Sequence, residues 1–255
     1  MSRRTGSLLV AILAIAMVPT VGQWLSYPTP GIPRLPDGKP NLSAPTPRAA
    51  DGKPDLYGIW VMDQTSQEGP FIQAPRNEIK PEDIILTPEG EALQRQSNDN
   101  DAANCLPRMF TAFTRNEPFK IFAIKETVVL LYEARTIYRQ IFMDGRELPK
   151  DPNPTWLGYS VGKWDGDTLV VETSGFNDRG LLPGGRTHSS ALHITERYRR
   201  RNFGHLEIQY KIDDPKVYAK PWTITQHHHL TPDTELLEYI CNENEKDLKH
   251  IVGAK

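Results

Sequence analysis

Cysteine is scarce in this chain: Cys105 and Cys241 are the two in 255 residues. That count excludes a Cys-rich zinc site and a disulfide-dense scaffold, and leaves at most one bridge. An excess of one charge sign is also missing. Thirty Lys and Arg against 32 Asp and Glu give a formal charge of -2, so there is no positive field to release counterions from a nucleic-acid backbone, and nucleic acid is not an expected partner. The longest apolar run, Leu8 to Val18, has eleven residues, whereas a membrane-crossing helix needs about 20. A Gly-rich phosphate loop and a Gly-x-Ser-x-Gly elbow are absent too, which disfavours nucleotide binding and α/β-hydrolase chemistry. Proline is plentiful. Its 22 copies exceed the 18 glycines, and because proline removes a backbone donor, much of the chain must be loop or extended connection.

Arg3 and Arg4, the apolar run, and small residues up to Gly22 read as a signal peptide over residues 1–22. The expected location is therefore outside the cytoplasm, periplasmic or extracellular, with membrane contact only through this segment if it stays uncleaved. Cleavage leaves 28 basic against 32 acidic residues. In an exported chain an even pair of cysteines is most simply a disulfide, so a Cys105–Cys241 bridge is expected.

Residues 23–54 form a Pro-rich extended segment, a tether or strap unable to build a core. Within it Asp37-Gly38-Lys39-Pro40-Asn41-Leu42 nearly repeats as Asp51-Gly52-Lys53-Pro54-Asp55-Leu56, which predicts two similar turns on one body. Residues 55–255 are the folded domain. One short helix is expected there, capped by Thr87 with Pro88 at its first position and Glu89 and Glu91 at the positive end of its dipole. After Pro118 short β-branched and aromatic runs alternate with turn signals. Strands are predicted near Trp60, 119 to 125, 127 to 133, 136 to 142, 158 to 164, 167 to 173, 191 to 201, 205 to 213, 221 to 230 and 235 to 241. An Asp165-Gly166 turn should join the fifth and sixth of the ten. The fold class is all-β: a single antiparallel barrel with a Pro-rich strap, one short helix and long loops.

Two register arguments place charges inside. A three-residue Asn202-Phe203-Gly204 loop, with Gly204 left-handed, sets Leu192, Ile194, Glu196 and Tyr198 on one face with Leu206, Ile208, Tyr210 and Ile212. A four-residue loop would instead put Arg197 and Arg199 among the apolar side chains, at a desolvation cost. Glu196 therefore points inward, opposite Tyr210. Closing the preceding hairpin at Ala134-Arg135 puts Arg139 on the face of Val128, Leu130 and Tyr132.

Four stretches are similar to an uncharacterised family of exported bacterial proteins: Pro36 to Pro40, Pro152 to Trp156, Gly158 to Thr173 and Cys241 to Asn244. That likeness covers most of residues 31 to 252 and implies export, but no activity. Gly58-Ile59-Trp60 opening a run of antiparallel strands resembles the calycins, the lipocalin-like barrels, and implies a barrel enclosing a small ligand.

The expected function follows from an inward face that is mostly apolar with few polar groups. Arg139, Trp164, Leu169, Val171, Tyr198 and Tyr210 line a central cavity for a small hydrophobic molecule. The alternative is a cofactor-independent lyase, isomerase or hydrolase. Its acid-base groups would be Glu196, a carboxylate that desolvation would tune, and an Asp178/His188 pair on the long loop from Ser174 to Ser190. His227, His229 and Glu238 would resemble a facial metal triad if a turn at Thr231 to Thr234 paired the last two strands. The other face of that hairpin (Trp222, Ile224, Leu230, Leu237, Tyr239) is the apolar one, so the His-Glu face is set toward solvent. No metal or other cofactor is expected.

Overall fold

The structure of the protein is a computed structural model that describes residues 28–63, 81–97, 105–107, 109, 117–240 and 243. Residues 1–22 and Cys241 lie outside the described residues. Nine strands close a barrel in chain order: β1 Gly58–Met62, β2 Phe119–Ile124, β3 Thr127–Tyr132, β4 Ile137–Phe142, β5 Tyr159–Asp165, β6 Thr168–Ser174, β7 His193–Arg200, β8 His205–Asp213 and β9 Trp222–Leu230. The tenth expected strand is not formed, because residues 235 to 240 are irregular.

That difference governs the closure. Strict antiparallel alternation cannot close a ring with an odd number of strands. β9 pairs antiparallel with β1, and the necessary parallel contact falls between β4 and β5, over Ile141↔Ser160 and Phe142↔Val161. Residues 143 to 158 supply the long return that a parallel neighbour requires.

Local chemistry explains the remaining elements. The helix α1, Pro88–Gln96, starts at Thr87, whose Oγ1 accepts the Gly90 N–H at 3.0 Å. Between β5 and β6 the loop is Gly166-Asp167 rather than the expected Asp165-Gly166, since Asp165 pairs with Thr168. Gly166, at φ 58°, takes the first central position, where type II′ hairpins place glycine. Trp164 thereby faces Leu169 and not Asp167, and Asp167 is left to bind Arg48 at 2.6 and 2.7 Å. The shift keeps every side chain on its expected face. Between β7 and β8 the observed pairs are Ile194↔Ile212, Glu196↔Tyr210 and Tyr198↔Ile208, as the three-residue loop requires.

The strap carries two matching clips. Leu35 N–H bonds the Lys39 carbonyl and Ala49 N–H that of Lys53, at 2.8 and 2.9 Å. Arg34 and Arg48 each reach back to the glycine carbonyl of their own turn and forward to a carboxylate on the body, Asp233 and Asp167 respectively. The near-repeat is thus a repeated docking device across one end of the barrel. Gly204 receives the strap there, but not through the left-handed backbone expected of it, for it is not among the positive-φ glycines. Its N–H donates to the Leu42 carbonyl at 2.8 Å, and a Cβ would stand 2.8 Å from that oxygen and overlap Leu42 Cβ. Gly204→Ala is therefore expected to lower stability by about 1 to 3 kcal/mol, the usual cost of overpacking, and to speed proteolysis of the strap. Chemical denaturation with limited proteolysis checks this, and an unchanged cleavage rate would show that the contact does not hold the strap.

Candidate functional site

The inward positions of five strands meet in one buried polar cluster. Parity along β4 places Arg139 opposite Leu130 of β3, and parity along β7 places Glu196 between Val171 of β6 and Tyr210 of β8. Across the interior the two charges form a forked pair: Arg139 Nη1 donates to Glu196 Oε2 at 2.8 Å, and Nη2 donates to Oε1. Ser160 Oγ accepts from Nε and Nη2 at 3.1 and 2.9 Å, Thr173 Oγ1 accepts from Nη2 at 2.8 Å, and Tyr198 OH donates to Glu196 Oε2 at 2.7 Å. The exposures are 3% for Arg139 and 0% for Glu196. Burial by itself would lower the guanidinium pKa of Arg139, but the attraction and hydrogen bonds of Glu196 outweigh it and hold that pKa above its ordinary value. Burial, followed by the Glu196 charge, raises the Tyr198 and Tyr210 phenols.

Leu169, Val171, Tyr198 and Tyr210 surround this pair and are buried, while Trp164 is half-buried at the rim. Six of the expected lining and site residues (Arg139, Leu169, Val171, Glu196, Tyr198, Tyr210) thus share one interior. Around the ion pair this interior is closely packed. Ile141, Leu169, Val171, Ile194 and Glu196 have zero exposure, which leaves no water-sized space beside them, as in small barrels whose inward side chains meet.

The expected acid-base trio is not assembled. Asp178 is exposed, and His188 is buried with Nδ1 3.1 Å from the Ser189 carbonyl and Nε2 3.1 Å from the Arg179 carbonyl. Among the described residues no hydrogen bond or ion pair joins Asp178, His188 and Glu196. Burial lowers the His188 pKa. Its loop is pinned at its C-terminal end: Asp214 accepts the Ser189 N–H and hydroxyl at 2.6 and 2.9 Å, and Gln94 of α1 accepts the Thr187 N–H.

His227, His229 and Glu238 are likewise not brought together. β9 has β8 and β1 as its neighbours, and Glu238 sits in the irregular segment after it. Leu237 and Tyr239, expected in the core, are exposed for the same reason. His227 and His229 do face outward, with His229 Nδ1 2.6 Å from Asp63 Oδ1. Among the described residues no three His, Cys, Asp or Glu converge as a metal site.

Sequence reasoning missed Ser160, Thr173, His228 and Arg200. Parity carried from Trp164 and Leu169 would have found the first two, and parity from Trp222 and Leu230 would have put His228 inside. Arg200, inward at the end of β7, donates to the carbonyls of Asp55, Tyr57 and Phe203 and lies over Trp60, 4.9 Å from the ring centre. Burial pushes its pKa down to about 10. Arg200 is the floor of a groove between strap and barrel mouth, of about 200 Å³, walled by Ile32, Tyr57, Ile59 and Leu230 with Lys120 and Glu235 at its edge. Lys120 and Glu235 are paired at 2.6 Å. Compared with protein-family models and with curated proteins, the chain matches none.

Proposed function

We propose that this is an exported barrel protein that binds a small, mostly hydrophobic molecule, and that the molecule sits in the groove under the strap. The observation that carries the reading is the groove itself: a concave, mainly apolar surface with two cations, Arg200 and Lys120, at its floor and edge. Its volume is of the order of the ~150 Å³ that admits benzene, so a single-ring or two-ring molecule with one polar or anionic group suits it.

Titration with an anionic apolar fluorophore, anilinonaphthalene sulfonate, tests this. Tyr57→Ala is expected to weaken binding about tenfold, the equivalent of about 1.4 kcal/mol, with little change in melting temperature because the residue is 46% exposed. Leu169→Met, a volume-conserving change in the interior, is expected to leave binding unchanged. Should Leu169→Met alter binding and Tyr57→Ala not, the ligand lies inside the barrel and the groove is ruled out. Export also implies the Cys105–Cys241 bridge. Mass spectrometry of the unreduced protein should find it lighter than the reduced chain by two hydrogens, whereas two free thiols would disprove the bridge.

A further inference from the structure

Arg200, the floor of the groove, is a buried cation whose hydrogen-bond acceptors among the described residues are all neutral carbonyls. Nε shares its one hydrogen between the carbonyls of Asn202 and Phe203, Nη1 gives its two to Asp55 and Tyr57, and Nη2 gives one to Phe203. One Nη2 hydrogen is left over. The other inward guanidinium, that of Arg139, is met by the Glu196 carboxylate, and Lys120 at the groove edge has Glu235 at 2.6 Å. Arg200 has no such partner. The carboxylate whose charge it feels is that of Asp55, but the atom of Asp55 that meets the guanidinium is the backbone carbonyl, and Oδ1 accepts the Tyr57 N–H at 2.8 Å. A charge taken out of water without a counter-charge is costly, and burial pulls the Arg200 pKa down in spite of Asp55.

Thr231, in the wall of the same groove, supplies a second and independent observation. Its N–H donates to the Ile59 carbonyl at 2.8 Å, whereas its Oγ1 is buried and has no hydrogen-bond partner among the described residues. A buried hydroxyl left in that state costs free energy. The groove therefore lacks two things at once, a negative charge and a hydrogen-bond acceptor. A carboxylate provides both, and its two oxygens match the two unused donors. A phosphate, with more oxygens to satisfy, would be left short of donors. Ile32, Tyr57 and Leu230 offer the apolar surface for the rest of the molecule.

We infer that the groove is selective for an anion: a one- or two-ring apolar molecule bearing a single carboxylate, whose oxygens accept from the Arg200 guanidinium and the Thr231 hydroxyl. The inference rests on the groove being the binding site.

Two probes of nearly equal shape, 2-naphthoate and the neutral 2-naphthamide, titrated separately into the full-length protein by isothermal calorimetry at neutral pH, test it. Naphthoate is expected to bind at least about tenfold more tightly, since charge-assisted hydrogen bonds are roughly twice as strong as neutral ones. Thr231→Val should weaken naphthoate binding about three- to tenfold without lowering the melting temperature, because the hydroxyl has no partner to lose. Arg200→Met should bring the two affinities together. Arg200 also ties Asp55, Tyr57 and Phe203, so the melting temperature reports whether this variant is folded; if it is not, the probe pair and Thr231→Val decide. Equal affinities for the two probes overturn the inference and leave the groove standing as a binding site. So does an unchanged naphthoate affinity in Thr231→Val, or a preference for naphthoate that survives in folded Arg200→Met and is lost in Lys120→Met. Binding of neither probe, or naphthoate binding that Tyr57→Ala does not alter, removes the groove as the site and the inference with it.

Discussion

Glu196→Gln is expected to lower the stability of the fold by about 3 to 5 kcal/mol, the range found when one partner of a buried ion pair is removed. The carboxylate has no water to replace it: it is fully buried and takes hydrogen bonds from Arg139 and Tyr198. The amide keeps the volume but leaves the guanidinium charged in a buried interior, beside the neutral groups of Ser160, Thr173 and Tyr132. Replacing both charges, Arg139→Met with Glu196→Leu, should recover most of that loss, since well-packed apolar residues often equal or exceed a buried pair. The four proteins of this cycle, compared by denaturant midpoint, give the coupling directly. A single variant within about 0.5 kcal/mol of wild type, the size of an ordinary surface change, would mean that the two side chains do not meet.

Acid is the second route to a large effect, and it acts through His228. This imidazole is buried in the barrel wall facing Phe119, ring centres 5.2 Å apart, and among the described residues neither ring nitrogen has a hydrogen-bond partner of ordinary geometry. Burial first, helped by His227 and His229 and opposed by Asp63 and by the nearby Leu206 backbone, pushes its pKa down to about 3. In the unfolded chain the same ring titrates near 6.5. Below that pH the unfolded state binds a proton that the folded state refuses, so stability falls with pH by up to about 1.4 kcal/mol per unit for this one group. His188 and His205, whose pKa values burial also lowers, add to the same limb. His228→Leu should raise stability by about 1 to 3 kcal/mol by removing an unsatisfied polar group. It should also reduce the slope of stability against pH by one proton between about pH 6 and 5, above the carboxylate range. Equal slopes in the two proteins would place His228 in contact with water.

Period-two alternation with a turn signal is a local property, and it determined eight of the strands after Pro118, the three-residue loop before β8 and therefore the inward direction of Glu196. The inward Arg139 follows from the same reasoning. Alternation says which side of a strand a residue occupies, and nothing about which strand stands opposite. That Arg139 and Glu196, 57 residues apart, share a fork of hydrogen bonds was settled by closure of the barrel, which brings β4 and β7 across one interior. Closure also settled the histidines. Among the described residues no strand follows β9, and its free side was taken by β1, so His229 met Asp63 instead of Glu238. Gly204 shows the same division: its place in a loop is written locally, but the demand for a residue without a Cβ comes from Leu42. Neighbours far apart in the chain are chosen by packing and loop closure, which one sequence specifies only jointly, and that is why the paired charges, the filled interior and the groove under the strap became visible only in the folded molecule.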